Sequence, residues 1–133
     1  MAANSYAALE LMGSDASRVT LYDVRVLPPD PRMIDDALRH ERVITVEDAT
    51  RHGGAGTLMV SAIRLRAQEF GQPHPTTRIL GAPRVYLAHN KPDALLAELG
   101  LDPEGLAGAF TRLLEGTPEF PPTFHESPRP NYS

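Results

Sequence analysis

The sequence predicts an α/β fold in three layers, α/β/α, around a mostly parallel sheet. Three observations carry this. Val43-Ile44-Thr45-Val46 is a β-branched run, the signature of a strand buried on both faces. It stops at Glu47-Asp48, turns through Gly53-Gly54-Ala55-Gly56 and enters a segment of helical periodicity. The same succession of strand and helix signals recurs along the chain, which implies parallel βαβ units with right-handed crossovers.

The elements follow in order. Residues 3–12 are good helix formers and Gly13 is a natural stop. Arg18 to Val26 alternates in part and is rich in Val, Leu and Tyr, so a strand is expected there, parallel to those that follow. Pro28-Pro29-Asp30-Pro31 breaks it. Asp30 can cap the next helix, to about Arg39, with Pro31 at its first position. The strand at 43–47 follows. A helix from about Gly56 to Phe70 has an apolar stripe at Met59, Ala62, Ile63 and Phe70, with Arg64 and Glu69 toward water. A third strand spans 76–80, and Val85-Tyr86-Leu87 is a short extended piece. Helices are expected at 92–99 and 104–114, ended by Gly100 and Gly116. Residues 1–116 form the domain. Residues 117–133 are a separate tail, because five prolines within it oppose both helix and central strand.

Composition removes whole classes of function. The chain has 133 residues, enough for one domain with a real core. It has no cysteine, hence no disulfide scaffold, thiolate metal site or cysteine nucleophile. The net charge is −4, and the thirteen basic residues, of which only Lys91 is lysine, form no run. Neither nucleic acid nor a membrane surface is therefore an expected partner. No stretch approaches the roughly 18 apolar residues of a membrane span. Residues 1–12 do not read as a signal peptide, so the cytoplasm is the expected location.

Candidate chemistry is sparse. Glu47 and Asp48 stand where a parallel strand ends, the end at which open α/β sheets place their sites. They are either carboxylates aimed into a cleft, or a cap for the following helix or an interface hydrogen bond; the cap or interface role is the stronger reading. Gly53, Gly54 and Gly56 open a helix N-terminus of the kind that attracts anions. They match neither the dinucleotide nor the phosphate-loop pattern, so a tight turn is the plainer reading. No two of His40, His52, His74, His89 and His125 have the i, i+4 spacing of a helical metal site. His52, beside the glycine turn, is the best placed for a polar role. No serine lies in a nucleophile elbow. No catalytic constellation is complete, so no catalytic, cofactor-binding or metal residue is assigned.

From about Ala3 to Leu114 the chain resembles the C-terminal domain of the transketolase family, and within it that of deoxyxylulose phosphate synthases. Several segments carry the resemblance in order. They are Ala7-Ala8-Leu9-Glu10, Val19 to Arg25, Pro28-Pro29-Asp30, Val43 to Asp48, Gly53 to Gly56, Ile79 to Pro83, His89, and Gly100-Leu101-Asp102 with Gly105. The resemblance implies thiamine diphosphate and a divalent metal held by two other domains, with this one packing on a neighbour and supporting assembly. It carries over no catalytic residue. It also implies a strand of the kind Asp-Val-x-Leu-x-x-x-Gly before the first helix, between the strands matching 18–25 and 43–47. This sequence begins at the helix. A missing central strand leaves backbone groups unpaired, at on the order of 1–3 kcal/mol for each one buried. Either a partner chain supplies it, the sheet re-pairs, or this chain is one piece of a divided enzyme.

The expected function is thus a non-catalytic subunit of a divided thiamine-diphosphate enzyme in a hetero-oligomer, ketol or acyl transfer being done by partner chains. Two rivals stand beside it, a stand-alone interaction or regulatory module and a small anion-binding domain using the Gly53–Gly56 turn. The expected interface lies at the carboxyl ends of the strands, near Arg25, Asp30, Glu47 and His52. Charge reversal at Glu47 or bulk at Gly54 is expected to weaken assembly more than folding.

Overall fold

The computed structural model describes residues 1–83 and 91–116. The short extended piece expected at 85–87, His89 and the tail from 117 lie outside those residues. The element order is α1 (Ala2–Met12), a 3-10 turn (Gly13–Arg18), α2 (Pro31–Ala37), β1 (Arg42–Thr50), α3 (Ala55–Glu69), β2 (Thr76–Ala82), α4 (Pro92–Glu98) and α5 (Pro103–Glu115).

β1 and β2 pair in parallel, with Arg42 opposite Thr76 and Val46 opposite Leu80; the register then slips before Thr50 meets Ala82. Side chains alternate across the pleat, and each face of this pair is covered by helices. On one face Ile44, Val46, Leu80 and Ala82 pack against Ala8 of α1, Leu99 and Leu101 after α4, and Leu106 and Phe110 of α5. On the other face Val43 packs with Ile34 of α2 and with Met59 and Ile63 of α3. This is the three-layer α/β/α arrangement with a parallel sheet.

Local chemistry explains most element ends. Asp30 caps α2, its carboxylate accepting from the Arg32 N–H at 2.8 Å, with Pro31 at the first position. Asp102 caps α5 in the same way, accepting from the Gly105 N–H at 2.9 Å. Gly105 is dictated by packing: a Cβ there would stand 2.5 Å from the Gly100 carbonyl oxygen. α1 ends at Gly13, whose φ is +60°, a conformation that suits glycine.

Two expectations are corrected. Residues 18–26 form no strand. Gly13–Arg18 is a 3-10 turn, and residues 19–25 belong to neither strand of the sheet. Alternation supplies the side chains for a strand, but a strand also needs a hydrogen-bonding neighbour, and neither β1 nor β2 lies alongside. The segment is instead tied down by a side chain, the Tyr22 hydroxyl donating to Asp36 Oδ2 at 2.5 Å. Phe70 is also not in the core. It falls just past α3, is 54% exposed, and lies under the Arg66 guanidinium, 4.5 Å from the ring centroid. The buried stripe of α3 is Gly56, Met59, Val60, Ile63 and Ala67. Arg64 and Glu69 do face water.

Ion pairs fix α2 against its neighbours. Arg66 of α3 grips Asp35 with two hydrogen bonds, of 2.7 and 3.2 Å. The Arg66 guanidinium holds the Asp35 carboxyl below its ordinary range, and the Tyr22 hydroxyl does the same for Asp36. A carboxyl with a lowered folded pKa stabilises the fold above its unfolded pKa of about 3.9, and that contribution is lost as pH falls through the lower folded value. Stability should therefore fall on acidification below about pH 4. A double Asp35→Asn, Asp36→Asn variant should begin less stable at neutral pH and lose less over that interval. Urea titrations between about pH 7 and pH 2 check this, and equal acid sensitivity of the two proteins would refute it.

Candidate functional site

The carboxyl end of β1 is built on one carboxylate. Glu47 points along the strand end into the turn that starts α3. Its oxygens accept the backbone N–H groups of Ala55 at 2.9 Å and Gly56 at 3.3 Å. These are donors that a helix start leaves without an intrahelical partner, and a negative charge there is favoured by the helix dipole. The Gly53 N–H is taken by the Thr57 hydroxyl at 3.1 Å. The capping role read for Glu47 is the one the structure has. The anion-attracting end of α3 is occupied by the protein's own carboxylate.

The glycines follow from this closeness. A Cβ on Gly54 would stand 2.5 Å from Glu47 Oε2 and 2.6 Å from the Thr50 carbonyl oxygen. A Cβ on Gly56 would stand 2.5 Å from Thr45 Oγ1 and 3.0 Å from Ile79 Cγ2. Helix and sheet approach so tightly that neither position accepts a side chain without displacement. Gly53 has φ +78° and makes the turn itself.

The other candidates are dispersed. Arg25 is exposed and pairs with Asp23 at 2.8 Å. Asp30 is committed to the α2 cap, and Arg32, whose guanidinium lies 2.9 Å away, keeps its carboxyl below the usual range. His52 is exposed in the turn after β1. Arg25, Glu47 and Gly56 border one groove; Asp30, His52, Gly53 and Gly54 lie outside its lining.

That groove lies between residues 18–25 and β1, where the resemblance leaves a central strand missing. It has a volume of about 690 Å³. Met59 and Ile63 of α3 wall it on one side, and Phe110, Leu113 and Leu114 of α5 on the other. The partial alternation at 18–26 is a second signal of it. Its apolar residues Tyr22, Val24 and Val26 are 46%, 39% and 73% exposed, as in a strand lacking a neighbour.

A parallel sheet sandwiched by helices, with its polar turn folded in upon itself, defines the class: a three-layer α/β domain. The chain belongs to the transketolase C-terminal domain family. Residues 1–106 match the family described as "Transketolase, C-terminal domain". It is 35% identical over 111 residues to the 1-deoxy-D-xylulose-5-phosphate synthase of Saccharopolyspora erythraea, covering 83% of this chain and 16% of that protein. It is 35% identical over 134 residues to 1-deoxy-D-xylulose-5-phosphate synthase 1 of Kitasatospora griseola, covering 97% and 20%. With the synthase of Thermobifida fusca it shares 38% over 97 residues, covering 72% and 14%. The chain thus spans a fifth or less of these relatives' length.

The family implies thiamine diphosphate and a divalent metal, and the described groups around the β1 turn offer no donor set suited to them. Among the described residues no three His, Asp or Glu side chains stand together as a cation site. The single glycine-rich helix start is closed by Glu47. No chemical step is assigned to these residues. Among them, no helix is long and apolar enough to cross a membrane.

Proposed function

We propose that this chain is the non-catalytic C-terminal-domain subunit of a divided thiamine-diphosphate enzyme of the transketolase type. Partner chains hold the cofactor and its metal and carry out ketol or acyl transfer in a cytoplasmic hetero-oligomer. This domain contributes assembly surface. One observation supports the reading: among the described residues this family domain pairs two strands, with a groove beside β1. Two-stranded sheets are marginal alone and gain stability from a further strand. The stand-alone module makes the same use of the fold without an enzyme beside it. The anion-binding rival has little to draw on, since the donors of Ala55 and Gly56 serve Glu47.

The test is recovery of the tagged full chain from its native host at natural abundance. Longer chains carrying the remaining parts of a synthase-type enzyme should copurify. Thiamine diphosphate with magnesium should bind that complex, and calorimetry on the purified chain should show no micromolar binding. Micromolar cofactor binding by this chain alone would refute a non-catalytic role. A stable monomer recovered without partners would favour the stand-alone module.

A further inference from the structure

We draw no further inference here: the strongest candidate, the exposed apolar stripe of Leu58 and Leu65 along the outer face of α3, carries nothing, because nothing in the structure shows what covers it.

Discussion

Replacing Glu47 with lysine is expected to unfold this domain far more readily than it frees a partner. The carboxylate accepts two backbone N–H groups at the start of α3. Hydrogen bonds to a charged group contribute about 1.5–3 kcal/mol each, less where water competes. Lysine removes both and places a positive charge at the positive end of a helix. We expect a loss of about 3 kcal/mol, or roughly 10 °C in Tm at this size. Glu47→Gln keeps one acceptor and should lose only about 1 kcal/mol. Thermal and urea unfolding of both variants check this. A Glu47→Lys protein as stable as the parent, with impaired assembly, would restore the interface role expected from the sequence. The geometry argues the other way, since the groups that looked like interface chemistry hold β1 to α3. Bulk at Gly54 has the same consequence, for a Cβ there collides with Glu47 and with the Thr50 carbonyl.

Leu106→Ala should destabilise the domain by a similar amount, about 3 kcal/mol, from lost burial and the cavity left behind. Leu106 is completely buried, with Ala8, Leu101 and Phe110 in the same cluster, against the face of the sheet formed by Ile44 and Val46. It joins α1 to α5 and both to the strands, so the space cannot close by moving one helix. Equilibrium unfolding measures the loss. Leu65→Ala in α3 is the control, since Leu65 is 62% exposed, and it should change stability by no more than about 0.5 kcal/mol. Equal effects at the two positions would show that the α1–α5 layer does not anchor the fold.

Most of the fold was legible because its signals are local. The β-branched run at 43–46 marks a doubly covered strand, and the structure extends it to Thr50. Asp30 with Pro31, and Pro103 with Gly116, are short-range helix signals, and the helices begin and end at them. The capping role of Glu47 was legible too, since an acid eight or nine residues before a glycine-opened helix can reach its free N–H groups. Phe70 was misplaced because helical period alone does not tell where a helix stops.

What the sequence by itself determined was the class of fold, the identity of its helices and two strands, and the family. Each of these depends on residues near one another in the chain, where propensity, capping and periodicity act. Only the tertiary structure decided the fate of residues 19–25 and the walls of the groove. A strand is a relation between two segments, not a property of one. Whether Tyr22, Val24 and Val26 line a ladder or lie exposed depends on what stands beside them. Here β1 turns one edge to β2 and the other to the groove, and no local pattern encodes that edge.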